Sequence, residues 1–430
     1  MASSVETLNS AAAAWRRSHV WMGKSSLAVI DEGLVSGSNF VLVIVLARWL
    51  GTRQYGAYAL AFSVFLLLAG LYQAVLLEPM SVFGPLRRGA DRRDYLGAVL
   101  WIHAGICTVC ALALGAAGFV LAAAQPDLAA VLRALAVALP SILLLWLARA
   151  ACYLRYSPAT AAAAALMYSC LLLGGLVVVN RSGLLSSPAV FLSMGGASLA
   201  VALCLLAGAR PRLTGMRREA ARVWREHWTY SRWALCTAAV MWVPGNIFYV
   251  ATGALAGMGA TGSLRALLNI ALPVTHSGTA LVRLFQPYLS ERQQQRGTPA
   301  IVPAVGLLSG LFAAGALAYA LVFAVFHVRV FGWLYAGRFV ENSWMAAWVA
   351  VGVVFQMAAY GIALGLRAVR SPASIFAAYS TSAAISVLIG IPGVWLLGLP
   401  GAVGSTVVSN IALAIVQAIL LRRKVRHGGC

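Results

Sequence analysis

One apolar stretch of the chain carries polar and basic side chains at a spacing that could support ligand binding. In chain order they are Arg265, Asn269, His276, Thr279 and Arg283, at positions i, i+4, i+11, i+14 and i+18. On a continuous α-helix, at about 100° per residue, all five fall within a sector of about 80°. The spacing therefore predicts one helix with a polar, cationic stripe. Near a helix end an arginine could instead extend its charged group to the surface, an alternative that applies more to Arg283 than to Arg265.

Two further apolar stretches of the sequence contain polar residues. Near the N-terminus, Asp31 and Glu32 are followed by Asn39 on what would be the same helix. The two acids either pair with an arginine or titrate as a proton or sodium site, and the sequence leaves both interpretations open. Asn246 follows a Pro-Gly pair in another apolar stretch. We expect these polar faces to line one central cavity together with the cationic stripe.

The composition is that of a membrane protein. The chain has 430 residues, of which 61% are hydrophobic and 10% charged, and its mean hydropathy is +0.85. A soluble domain of this length would need far more charged surface. The formal charge of +21 would suggest nucleic acid in a soluble protein. Here the arginines gather at the ends of apolar runs, so we expect contacts with membrane lipids and no nucleic-acid partner.

Apolar runs of about 20 residues or more, long enough to cross a bilayer as helices, recur about twelve times. We place these runs near Ser26–Ala47, Gly56–Leu77, Leu96–Ala124, Leu128–Ala150, Ser157–Val179, Pro188–Gly208, Trp233–Ala254, Ser263–Leu289, Ile301–Phe326, Ser343–Leu366, Ala373–Leu396 and Gly401–Leu421.

The basic residues predict the orientation. The segment Ala209–Arg232 lies near the middle of the chain and carries seven arginines against two glutamates, so we expect it to stay in the cytoplasm. With both termini also cytoplasmic, most other arginines fall on the same side. The predicted organisation is a cytoplasmic tail (1–25), a six-helix bundle (26–208), a cytoplasmic connecting loop (209–232), a second six-helix bundle (233–421) and a basic cytoplasmic tail (422–430).

The two halves resemble each other around two pairs of glycines. Gly51 and Gly56 follow the first predicted helix, Gly257 and Gly262 follow the seventh, and the two pairs are 206 positions apart. Two chance glycine turns would give the same match. If the repeat is real, six helices per repeat make the bundles parallel, related by a pseudo-twofold axis along the membrane normal. The predicted fold class is therefore all-α and integral to the membrane.

Several segments resemble a known family. Ala47–Tyr58 reads ARWLGTRQYGAY, similar to the pattern R-x-L-G-x-x-x-Y-G-x-Y, and Leu334–Phe339 reads LYAGRF, similar to LYG-x-x-Y/F. Arg265–Pro287 resembles that family's eighth helix, with a proline near its inner end. In order and spacing, these segments are similar to the multidrug/oligosaccharidyl-lipid/polysaccharide (MOP) exporter superfamily, in particular its bacterial polysaccharide flippase branch.

The resemblance implies two six-helix bundles that rock about a central cavity and pass a polyprenyl-diphosphate-linked oligosaccharide across the bacterial cytoplasmic membrane. Arginine can match a diphosphate with paired hydrogen bonds. A transporter of this kind is not an enzyme and needs no cofactor or metal, and a glycan polymerase and export machinery would be its protein partners. From their positions within the spans, the candidate substrate-binding residues are Arg265, Arg283, Asn269, His276, Asn39 and Asn246. Asp31 and Glu32, or alternatively His276, are the candidates for ion coupling. The acidic pair departs from the purely cationic cavity that the resemblance implies.

Two other functions compete with this interpretation. A cation-coupled drug or metabolite exporter of the same fold would need acids deep in the cavity, and beyond Asp31 and Glu32 the sequence offers Glu78, near a helix end. A membrane enzyme such as a glycan polymerase would ordinarily need a large external loop, and the predicted loops are short.

Overall fold

The computed structural model describes residues 31, 33–87, 89–154, 157–213 and 215–427. In these ranges every regular element is a helix, which confirms the all-α class. The helices are α1 (Gly33–Trp49), α2 (Thr52–Phe83), α3 (Gly89–Val120), α4 (Pro126–Leu154), α5 (Pro158–Arg181), α6 (Ser187–Ala209), α7 (Arg217–Leu255), α8 (Gly257–Asn269), α9 (Leu272–Arg296), α10 (Val302–Tyr335), α11 (Ala346–Ala368), α12 (Pro372–Leu397) and α13 (Leu399–His427).

Short irregular turns punctuate these helices. One π-helical turn, Gln73–Leu77, lies within α2, and another, Ser386–Gly390, lies within α12. Short 3₁₀ turns, Thr298–Ile301 and Val340–Met345, precede α10 and α11.

The chain is a multi-pass membrane protein. Ten of the described helices are long and apolar enough to cross a bilayer. The helix α1 is also apolar but shorter. Residues 1–30 and Glu32 lie outside the described residues. Ten crossings plus α1 account for eleven of the twelve predicted runs, and the exception is the run that carries the cationic stripe.

That predicted run, Ser263–Leu289, is not one helix. The structure ends α8 at Asn269 and begins α9 at Leu272, so the prediction of a single continuous helix is wrong. Pro273 supplies the physical reason, because a proline has no backbone N–H and its ring clashes with the carbonyl four residues earlier, here that of Asn269. The break leaves a free carbonyl at Ile270, which accepts a hydrogen bond of 2.8 Å from the Tyr319 hydroxyl.

The predicted connecting segment, residues 209–232, contains regular structure. The chain is helical from Arg217 onward, as the first part of α7, and the cytoplasmic location of the segment stays a prediction. Val223, His227 and Ser231 are fully buried and four residues apart, so they form one buried face of a helix. The Tyr95 hydroxyl and the His227 Nε2 are 2.9 Å apart and fix this face.

The residues form two compact units. The first unit comprises Met1–Leu42, Tyr72–Ala117 and Arg133–Ser231, and the second comprises Val43–Leu71, Gly118–Leu132 and Arg232–Cys430. The candidate site described next lies within the second unit. The assignment of six helices to each of two bundles stays a prediction.

Within the second unit, α2 and α8 approach each other at two glycines. A Cβ atom on Gly56 would overlap the carbonyl oxygen of Met258, and one on Gly262 would overlap the carbonyl oxygen of Thr52. Only glycine allows two helix backbones to come this close. This contact positions α8, which carries the arginine of the candidate site.

Candidate substrate cavity

A cavity of about 390 Å³ lies within the second unit, among α2, α7, α8, α9, α11, α12 and α13. Its volume is in the range of about 300–1,000 Å³ that is typical of small-molecule sites. Of the described residues that line it, Arg265 alone is charged. The cavity is therefore cationic without any acidic wall residue among those described.

Arg265 is held by aromatic rings. Its side chain is 8% exposed, and its Cζ lies 5.1 Å from the ring centroid of Phe62 and 5.7 Å from that of Tyr249. Both distances are in the range of cation–π attraction. Its Nε has no hydrogen-bond partner, and none of the ion pairs among the described residues includes Arg265. A buried guanidinium with an unused donor and no counterion is suited to bind an anion.

Asn269 lies one helical turn after Arg265 and also lines the cavity. It is 1% exposed, and its Nδ2 donates a hydrogen bond of 2.6 Å to the hydroxyl of Tyr55. That hydroxyl in turn donates to the carbonyl of Val43 at 3.3 Å. Asn269 is therefore fixed in place by a short chain of buried hydrogen bonds.

The two segments that resemble family motifs lie together beside this site. Arg48 Nε donates to the carbonyl of Leu334 at 2.7 Å, and Arg338 donates in return to the carbonyl of Leu50. Each arginine thus satisfies a carbonyl at the end of the other segment's helix. The hydroxyl of Tyr335 donates to the carbonyl of Ala266 at 2.9 Å, which links these motifs to α8. Their contribution is to hold the backbone that carries Arg265.

Asn246 is the third predicted residue in the cavity wall. It lies on α7, and its Nδ2 donates to the carbonyl of Trp242 at 3.2 Å. The indole of Trp242 donates to the carbonyl of Ser63 on α2 at 2.8 Å. The structure therefore brings together Arg265, Asn269 and Asn246 in one cavity.

Of the other predicted residues, His276 and Asn39 are not among the described residues that line this cavity. His276 lies on α9, after the break, and its side chain is exposed. Asn39 belongs to the first unit. The backbone of Arg283 is part of α9, but its side chain lies outside the described residues, as does Glu32. The stripe is interrupted because its predicted register required a helix that continues through Pro273.

Asp31 is paired in the first unit. It is 2% exposed, and its two carboxylate oxygens accept hydrogen bonds from Arg149 Nη2 at 2.7 Å and from the Tyr153 hydroxyl at 2.6 Å. Of the two interpretations open at the sequence level, this geometry favours pairing with an arginine. A coupling role for Asp31 stays a prediction.

The cavity wall also holds a second polar group that was not predicted from the sequence. Gln356 and Tyr360 lie one turn apart on α11, Thr406 and Asn410 lie one turn apart on α13, and Tyr379 lies on α12. The i, i+4 spacing of the two pairs inside apolar runs was a usable signal. It was weak because neutral polar residues are less costly in a membrane than charged ones.

Searches by sequence find no matching family model and no matching curated protein. Solved structures do match. An inward-facing multidrug resistance transporter of the MATE family in the MOP superfamily aligns with a TM-score of 0.73 and 13% identity, over 94% of this chain and 99% of that one. The lipid II flippase MurJ, in an inward closed conformation, also aligns with a TM-score of 0.73, with 10% identity, over 92% of this chain and 87% of that one.

A third matching structure is described by the charge of its binding pocket. A MOP superfamily transporter from Pyrococcus furiosus, described as having a binding pocket of reverse polarity, aligns with a TM-score of 0.64 and 13% identity, over 95% of this chain and 97% of that one. At these identities the likeness establishes the fold alone. It confirms the superfamily fold that the sequence motifs indicated: this chain is a multi-pass membrane protein with the fold of the MOP transporters.

Proposed function

We propose that the protein is a flippase that moves a polyprenyl-diphosphate-linked oligosaccharide across the bacterial cytoplasmic membrane by alternating access. The observation that carries the proposal is Arg265, a buried cation that lines the cavity of the second unit and belongs to no ion pair among the described residues. A diphosphate supplies the missing negative charge, and its oxygens match the paired donors of a guanidinium.

The charge of the cavity supports a flippase over a cation-coupled exporter. A drug exporter and a lipid II flippase align equally well with this chain, at a TM-score of 0.73 each. An exporter of cationic drugs would need an acid in the cavity wall, and the described lining residues include none. The cavity therefore favours an anionic substrate, and cation-coupled export is the second candidate.

Other parts of the proposal rest on the sequence. We propose that both termini and the connecting segment are cytoplasmic, that residues 26–208 and 233–421 form the two bundles, and that Asp31 and Glu32 couple transport to an ion. Arg283, His276 and Asn39 stay proposed contributors to substrate binding. A glycan polymerase and export machinery are proposed partners, and no covalent chemistry is assigned.

The test is the pool of lipid-linked glycan in cells that lack the protein. We expect polyprenyl-diphosphate-linked glycan to accumulate facing the cytoplasm, and wild type to clear it. Arg265→Gln should clear it at least about 10-fold more slowly, because an anion contact worth about 1.5–3 kcal/mol is lost. Arg265→Lys should retain part of the activity, since it keeps the charge but not the paired donors.

The matched control is Arg181→Gln, which removes an exposed arginine at the end of α5. It should clear the pool as wild type does, and membrane levels of each variant are to be checked by immunoblot. If no pool accumulates in the deletion strain, the flippase proposal is wrong and drug efflux becomes the next assay. If the pool accumulates but Arg265→Gln clears it normally, the function survives and the site is wrong.

A further inference from the structure

The cavity contains two chemically different groups of side chains. One group, on α7 and α8, consists of Arg265, Asn269 and Asn246. The other consists of Gln356, Tyr360, Tyr379, Thr406 and Asn410, on α11, α12 and α13, and we call it the amide–hydroxyl group. The first group accounts for binding of an anion, and the second group has no role in that binding.

We propose that the amide–hydroxyl group is a carbohydrate subsite that binds the sugar next to the diphosphate and selects a sugar without charge. This inference rests on the proposed function, because it assumes a diphosphate at Arg265. It names a chemical class of sugar, namely one that carries hydroxyl or acetamido groups and neither a carboxylate nor a free amine.

The packing of α11 on α13 places the amides at the cavity. A Cβ atom on Gly352 would lie 3.4 Å from a methyl group of Val407 and 3.5 Å from Asn410 Nδ2, so the Asn410 side chain passes close to the α11 backbone. Gly352 and Asn410 both line the cavity. Asn410 and Gln356 are half-buried, and a ligand in the cavity can reach them.

Part of the hydrogen-bonding capacity of this group is unused. Within the described part of the chain, the Asn410 amide has no hydrogen-bond partner. The hydroxyl of Thr406 donates to the carbonyl of Ala402 at 2.9 Å, and its oxygen remains able to accept. An amide offers both donors and acceptors, as sugar hydroxyl and acetamido groups do. The rings of Tyr360 and Tyr379 add apolar faces for the C–H surface of a sugar.

The selection against charge follows from the rest of the wall. Arg265 is the one charged residue among the described lining residues, and the diphosphate would occupy it. A sugar carboxylate bound at the amide–hydroxyl group would lose its hydration and find no basic side chain to pair with. A sugar ammonium group would likewise find no acidic side chain. A binding site built to form hydrogen bonds with neutral polar groups of its ligand binds a ligand poorly when that ligand leaves buried polar groups of the site without a partner.

The experiment measures the binding of four synthetic probes to the purified full-length protein by isothermal titration. The probes are a polyprenyl diphosphate without sugar and the same lipid carrying glucose, N-acetylglucosamine or glucuronic acid. We expect the two neutral sugars to bind about 10-fold more tightly than the bare diphosphate, as about two hydrogen bonds would give. Glucuronic acid should give no gain.

Two variants assign the gain to the amide–hydroxyl group. Gln356→Met and Asn410→Leu, which keep the side-chain size, should each remove most of the sugar-dependent gain and leave binding of the bare diphosphate unchanged. Arg265→Gln should weaken all four probes alike. Gln294→Met, at an exposed position on α9, is the matched control and should bind as wild type.

The possible failures are distinguishable. If wild type binds none of the probes, the proposed function and this inference both fall. If bare diphosphate binds but both variants weaken every probe equally, the amide–hydroxyl group has a structural role and the inference alone is wrong. Equal binding of glucuronic acid and glucose derivatives would overturn the selection against charge.

Discussion

Gly56 and Gly262 pack against each other's helices in a reciprocal way. Gly56 faces Met258 and the backbone of Gly262, while Gly262 faces Thr52 and the backbone of Gly56. Residues 52 and 258, like 56 and 262, are separated by 206 positions, the offset of the sequence repeat. Reciprocal contact between equivalent positions is what a twofold relation produces. This reciprocal contact supports the predicted repeat, which stays a prediction.

The first prediction concerns this contact. Gly56→Ala and Gly262→Ala should each destabilise the protein by about 1–3 kcal/mol or more, because the added methyl group meets backbone that cannot move aside. The measurement is the melting temperature of the purified protein in detergent. Gly259→Ala is the control, since it lies in the same helix with open space at its Cβ position. It should be neutral or slightly stabilising, and a loss equal to that of Gly262→Ala would contradict the packing argument.

The second prediction concerns the buried hydrogen bond between Asn269 and Tyr55. Tyr55→Phe leaves the Asn269 amide without its partner and should cost about 1–3 kcal/mol. Asn269→Leu should cost a similar amount, and the double variant should cost less than the sum of the two. A double-mutant cycle on thermal stability should give a coupling of about 0.5–3 kcal/mol. Strict additivity would show that the two groups do not interact.

The third prediction concerns Asp31 and Arg149. Either Asp31→Asn or Arg149→Gln breaks a buried ion pair and should destabilise the protein by about 3 kcal/mol, because one charge is left buried without a partner. The double variant should recover part of the loss. Thermal unfolding of the three variants provides the measurement. If Asp31→Asn leaves stability unchanged but abolishes the dependence of transport on an ion gradient, Asp31 is a coupling residue rather than a structural partner.

The fourth prediction concerns anion binding at Arg265. Inorganic diphosphate should raise the melting temperature of wild type, because a ligand that binds only the folded state stabilises it. The shift should shrink in high salt and be absent in Arg265→Gln. Arg181→Gln should retain the full shift. An equal shift in Arg265→Gln would place the anion elsewhere on this basic protein.

Composition and spacing were sufficient to predict the fold class and part of the site. Arg265 and Asn269 were correctly predicted to share a face, because i, i+4 positions remain neighbours on any intact helix. His276 was lost from that face because Pro273 ends the helix before it, a local steric effect that overrides hydrophobic periodicity. The prediction of one helix over residues 263–289 did not take the effect of Pro273 into account.

The rest of the site depends on contacts that no local pattern contains. Tyr55 and Asn269 are 214 positions apart, and Arg48 and Leu334 are 286 apart. Without the tertiary packing, nothing marks Tyr55 as the partner of a cavity residue or Arg48 as a cap for a distant helix. The amide–hydroxyl group was missed for a related reason, since its members lie on three helices and converge only when those helices pack.

The break between α8 and α9 gives the two parts of this span different mechanical attachments. The helix α8, which carries Arg265, packs on α2 through Gly262, whereas α9 packs on α11, where Gly278 faces Met357 and Tyr360. Between them, Ile270 and Ala271 form a turn that belongs to neither helix, and hinges of this kind absorb changes of backbone angle. We therefore expect any tilt of α9 to be taken up at these two residues, while Arg265 keeps its attachment to α2.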